Sequence, residues 1–153
     1  MIDNLDKVIL RTLMDNARVS YADIAKNNRV SPATVHVRVE KMRKAGIIKG
    51  AKLKVDPRKL GFDVTCFIGI ILKQAGDYPR ALAKLEALSE VTEAFYTTGQ
   101  YSIFIKVVVR NIDDLQRLLI ERIQAIDEIQ STDTLISLQN PIMRDVGLDA
   151  LGH

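Results

Sequence analysis

The chain has little of what small catalytic or secreted domains depend on. Its 153 residues include one cysteine, no tryptophan, two histidines and four prolines. A single cysteine rules out a disulfide framework, and Cys66 sits inside the apolar run TCFIGIIL, where a buried structural thiol is expected instead of a nucleophile. His36 and His153 are the only imidazoles, so no metal-ligand spacing forms. There is no glycine-rich phosphate loop, and no paired carboxylates are placed as an acid and a base. No catalytic residue, metal or cofactor is therefore assigned. No apolar run approaches the roughly 20 residues that cross a bilayer. The opening MIDNLDKVIL is acidic where a secretory signal is basic, so a cytoplasmic protein without a membrane partner is expected.

What is present is an ordinary globular composition, 47% hydrophobic and 27% charged, sufficient for a sizeable core. The net charge of +3 conceals a division. Residues 1–60 hold 14 Lys and Arg against 6 Asp and Glu, a net +8, whereas residues 61–153 hold 8 against 13, a net −5. The basic block has the electrostatic character of something that meets polyphosphate.

That block contains a helix-turn-helix pattern. Asp3 can cap a first helix with Leu5, Val8, Ile9, Thr12 and Leu13 at helical spacing as far as about Asp15. Ser20, with Asp23 three residues on, begins a second. Ser31-Pro32 begins a third by placing a cap hydroxyl before a proline whose missing N–H costs nothing at the first helical position. Val35, Val39 and Met42 form its core stripe, and Gly46 ends it. Ala33, Val37, Glu40 and Lys44, with His36 and Lys41, then point outward, and Thr34 and Arg38 flank the stripe. The outward Val37 suits a thymine methyl in the major groove, although an isolated exposed valine is also common on ordinary surface helices. The DNA-facing set is Ser31, Ala33, Thr34, His36, Val37, Arg38 and Lys41.

Ile47 to Val55 alternates apolar and basic residues and predicts a strand, either a wing beside DNA or a hinge strand, with Lys49, Lys52 and Lys54 available to phosphates in the first case. Asp56-Pro57 to Gly61 reads as turn chemistry and a domain boundary. Beyond it come a strand over 62–73, a helix from Tyr78-Pro79, two strands joined through Gly99-Gln100-Tyr101, a helix from Asn111, and a strand over 129–139. The order β-α-β-β-α-β is the ferredoxin-like arrangement. The fold class is α+β: a helix-turn-helix domain over 1–47, winged-helix-like, a linking strand or hinge over 48–61, a ferredoxin-like domain over 62–140, and a tail over 141–153 expected to be partly ordered at best.

Several segments together carry a family resemblance. IDNLDKVILRTLMDNARVSYADIA, SPATVHVRVEKMRKAGII, VTEAFYTTGQYSIFIKV and IQSTDTLISLQNPIMR resemble the Lrp/AsnC family of bacterial feast-or-famine transcription regulators from about Ile2 to Arg144, with wording nearest the asparagine-responsive branch. The resemblance implies a RAM-type sensor domain, binding to double-stranded DNA in the nucleoid, and a homodimer assembling further, as an octamer. It also implies an amino-acid effector, L-asparagine, held between subunits around the hairpin at Thr98, Gly99, Gln100, Tyr101 and Ser102, with Asp127 of a neighbouring subunit as acceptor for the ammonium group. Many relatives carry an acidic residue where this chain has Ser102, so the usual polar anchor is altered. A sensor that acts through protein partners is the alternative function, and an enzyme of ferredoxin-like fold is third.

Overall fold

A computed structural model describes residues 1–151. The chain forms two compact units: Met1–Lys54 together with the stretch from Ile142 onward, and Val55–Pro141.

The amino-terminal unit holds three helices, α1 (Asn4–Asp15), α2 (Tyr21–Asn27) and α3 (Pro32–Lys44). Each begins at a side chain that satisfies an orphan amide: Asp3, Ser20 and Ser31 accept hydrogen bonds from the N–H groups of Asp6, Asp23 and Thr34. Asp3 and Asp6 do so reciprocally, at 2.9 and 3.0 Å. Between α2 and α3 the corner is closed by Arg29 at φ 57°, a left-handed conformation that strains any residue except glycine. Ile9, Leu10, Ile24, Ala25, Val35, Val39 and Met42 form the core.

One expectation is corrected here. The stretch after α3 forms no strand: residues 48–56 have no regular structure, and Leu53 is 84% exposed. A strand needs a neighbour for its amides and carbonyls, and the only sheet among the described residues is complete with four other strands. Part of the tail packs on the helices. Leu148 is buried in the helical core, Asp149 pairs with Arg11, and Lys7 Nζ donates to the Leu151 carbonyl at 3.2 Å. A short 3₁₀ turn, Leu148–Ala150, presents the leucine, and burying that side chain offsets the entropy of ordering the segment. Gly152 and His153 lie outside the described residues.

The second unit holds β1 (Val64–Leu72), α4 (Tyr78–Glu86), β2 (Val91–Tyr96), β3 (Ile103–Val109), α5 (Ile112–Leu118) and β4 (Ile129–Ile136). Its sheet is antiparallel throughout, in the order β2-β3-β1-β4. Alternation along the strands separates two faces. Cys66, Ile68, Ile70 and Leu72 of β1 and Ile103, Ile105, Val107 and Val109 of β3 pack with Ala81, Leu85, Leu115 and Leu118 of the helices. Phe67, Gly69, Phe104 and Leu135 belong to the opposite face. After α5 the backbone widens into a π-type turn over Leu119–Ile123, with Gln124 N–H donating to the Leu119 carbonyl. That extra residue brings Ile123, five positions after Leu118, back to the core.

Candidate nucleic-acid interface and sensor hairpin

The exposed face of α3 is the first candidate site. Its buried stripe of Val35, Val39 and Met42 leaves Ala33, His36, Val37, Lys41 and Lys44 exposed, with Val37 at 63%. His36, Val37, Glu40, Lys41 and Lys44 border one shallow depression, so the apolar and basic groups are contiguous. Ser31 is exposed as the cap, and Thr34, half-buried, has its hydroxyl 2.9 Å from that of Ser31. The His36 ring lies 5.9 Å from that of Tyr21 on α2. Lys49, Lys52 and Lys54 follow, all exposed. Such a surface has the two things a duplex reader needs: cations for phosphates and short side chains that allow close approach to base edges.

Arg38 is placed differently. Its guanidinium is tied to the carboxylates of Asp3 and Asp6 at the start of α1, with Asp6 at 3.3 Å. Its side chain is 28% exposed, and that of Asp6 only 1%. The Arg38 hydrogen bond, with the Asp6 amide adding to it, holds the Asp3 carboxyl down at about 2. Helical spacing placed Arg38 on the flank of the core stripe, but not against α1, because the register of one helix on another is a tertiary property. The usable hint was the pair of acidic residues three apart at the head of α1.

The second candidate site is the β2–β3 hairpin. Thr98, Gly99 and Gln100 are exposed at its tip, and Gly99 takes φ 94°, a left-handed turn that glycine adopts without strain. The base is firmly held. Thr97 N–H donates to the Ser102 carbonyl at 3.1 Å, Thr97 Oγ1 to the Tyr101 carbonyl at 2.6 Å, and Ser102 N–H to the Ile70 carbonyl at 3.0 Å. Tyr101 does not point outward with the tip. Its ring lies across Gly69 of β1, 6.2 Å from the ring of Phe104, and its hydroxyl donates to Asp133 of β4 at 2.5 Å. This bond, first among the causes, raises the tyrosine's pKa above its ordinary value, since the neutral phenol is the donor. Sequence reasoning missed Asp133, which alternation on β4 alone cannot pair with a tyrosine from another strand.

Asp127 is exposed in the turn before β4. Register puts it at the same end of the sheet as the hairpin, since Ile70 of β1 faces Ile103 and Leu72 faces Ile129. Its neighbour Glu128 is engaged by Lys84 at 2.8 Å and Arg80 at 3.6 Å, which lower its pKa, Lys84 foremost. Among the described residues no three His, Cys, Asp or Glu side chains converge as a metal site. Burial pushes the Cys66 thiol up to about 11, leaving it a poor nucleophile at neutral pH. No described helix is long and apolar enough to cross a membrane.

Comparison with known proteins covers both sites. Residues 2–49 match a winged helix-turn-helix DNA-binding family, and residues 65–146 match the Lrp/AsnC ligand binding domain. The chain is 68% identical over 146 residues to the Escherichia coli regulatory protein AsnC, covering 95% of this chain and 96% of that one. It is 62% identical over 145 residues to the Haemophilus influenzae protein of the same name, covering 95% and 97%. The solved structure of E. coli AsnC superimposes with a TM-score of 0.93, covering 95% of this chain and 98% of that chain. A Neisseria meningitidis transcriptional regulator solved with L-Met, 18% identical, shares the fold at a TM-score of 0.92, each chain 99% covered. The chain belongs to the Lrp/AsnC family and is an amino-acid-responsive, DNA-binding transcription regulator.

Proposed function

We propose that the exposed face of α3 reads operator DNA in the major groove, and that L-asparagine is the effector, bound at the β2–β3 hairpin where subunits meet. The observation that carries the first part is the continuous patch of His36, Val37 and Lys41 beside Ala33, opposite the buried stripe of a capped helix. Identity to proteins named AsnC supports asparagine, and a bound amino acid in a regulator of the same fold supports the ligand class. At the hairpin, the exposed Gly99 amide region suits an α-carboxylate, Gln100 and Ser102 suit a side-chain amide, and Asp127 of a neighbouring subunit suits the ammonium group.

Dimer formation is assigned to the uncovered sheet face. Phe67 and Phe104 stack there at 6.0 Å, while Phe95 and Leu135 are 54% and 50% exposed. A patch of this kind is a natural contact for a second copy, and a dimer places two α3 helices on half-sites about 34 Å apart or a multiple of that. Dimers then associate further, to octamers, with the effector altering assembly or DNA affinity.

The test is thermal denaturation in the presence of each of the twenty amino acids. A ligand at about 100 times its dissociation constant adds roughly 2.7 kcal/mol to a protein that binds it only when folded. A selective shift with asparagine is expected, accompanied by a change in particle mass by light scattering. No shift with any amino acid would overturn the asparagine assignment and leave the DNA-reading face untouched.

A further inference from the structure

Of the charged side chains of α3, Arg38 is the one tied to α1, and its partners form a small, closed device. Asp3 and Asp6 cap α1 reciprocally, so their carboxylates are already fixed by each other's amides before Arg38 arrives. Arg38 then inserts its guanidinium between them. Asp6 is almost fully buried, and its carboxylate accepts from the Asp3 amide and from Arg38. A carboxylate so buried must be paired, so Arg38 cannot leave for a phosphate without exposing it to an uncompensated site. One residue before Arg38 on the chain is Val37, and three after it is Lys41; both lie on the exposed face. Rotation of α3 about its axis would move that face relative to a bound groove.

We propose that Arg38 is a positioning residue for DNA recognition: clamped by Asp3 and Asp6, it fixes the rotation of α3 on α1 and touches neither base nor phosphate. This rests on α3 being the reading helix. The carboxylates that hold it belong to α1, so two acidic residues of a basic domain, remote from the exposed patch in sequence, become determinants of specificity.

The experiment compares Arg38→Gln, Asp6→Asn, their double variant, and Arg38→Lys in the full chain. Binding is measured against a duplex selected by the native protein from a randomised pool and against an unselected duplex, across a salt series, at a temperature where melts show every variant folded. Expected is a loss of affinity for the selected duplex of about tenfold or more in each single variant, the scale of one mismatched base pair. Binding to the unselected duplex and the salt slope stay at native values, the double variant is no worse than the poorer single, and Arg38→Lys recovers part of the loss. A salt slope shallower by about 0.9 in Arg38→Gln but not in Asp6→Asn would mean a phosphate contact and overturn the proposal. So would a loss of discrimination at one base position in Arg38→Gln alone, or native affinity in both folded single variants. Should Asp6→Asn fail to fold, the exposed Asp3→Asn makes the same comparison with Arg38→Gln. Val37→Ala and Lys41→Ala examine the reading helix itself: native affinity in both removes α3 from the interface, and the proposal with it.

Discussion

A methyl group placed on Gly69 would sit 2.7 Å from ring carbons of Tyr101. The atoms met are Cγ and both Cδ, the fixed base of the ring, so a small rotation of its far end gives no relief. Gly69→Ala must therefore displace a side chain whose hydroxyl is bound to Asp133 and whose main chain forms the foot of the β2–β3 hairpin. It is expected to lower stability of the sensor unit by about 1–3 kcal/mol, the usual cost of overpacking. Chemical denaturation of Gly69→Ala and of Gly69→Ala with Tyr101→Ser reads this directly: the double variant should regain part of the loss. Equal stability of Gly69→Ala and native protein would mean that the ring is not held across the glycine.

Between elements, the α1–α3 clamp carries a pH signature. Asp3 is held at about 2 against an ordinary 3.8, so its ionised form is favoured by folding. A depressed folded value adds stability that is fully present above the unfolded value and is lost as pH falls through the folded one. The window is therefore from about pH 4 down to about 2. The groups facing Asp3 are Arg38 of α3 and its own-helix partner Asp6, and no histidine takes part. Helix unfolding followed by circular dichroism should show Asp3→Asn less acid-sensitive than native protein in this window, though less stable at neutral pH. Identical acid profiles would refute the clamp. The elements themselves were legible because their signals are local. Ser31-Pro32 starts a helix by capping chemistry, Asn111 accepts from the Asp114 amide as a cap should, and the turn at Gly99 needs a residue free to take positive φ. What was not legible depends on partners distant in the chain. The alternation of Ile47 to Val55 has the period of a strand but no neighbour to pair with, and neither Arg38 with Asp6 nor Tyr101 with Asp133 is visible until helices and strands are in register. Arg29 escaped notice for another reason: nothing in its chemistry favours the left-handed corner that it occupies.

For the molecule as a whole, the chain passes between its two units twice, once through the linking segment after α3 and once through the stretch that follows β4. The second passage ends with Leu148 inside the helical core of the DNA-binding unit. Leu148→Ala is expected to destabilise that unit by about 2 kcal/mol, near the low end for a buried leucine because the site lies at the margin of the core. Hydrogen exchange should then accelerate at amides of α1 and α2 while β1 and β3 keep their protection. Uniform acceleration in both units, or none in either, would contradict the assignment of Leu148 to one core. The charge division runs along the same lines, with cations concentrated in the unit that meets DNA and a net negative sensor half that the polyanion does not attract.

The position of Leu148 also orders events at the ribosome. The three helices leave the exit tunnel early, but the side chain that completes their core is translated only after the entire sensor sheet. During that interval the nascent helical unit lacks one of its core leucines.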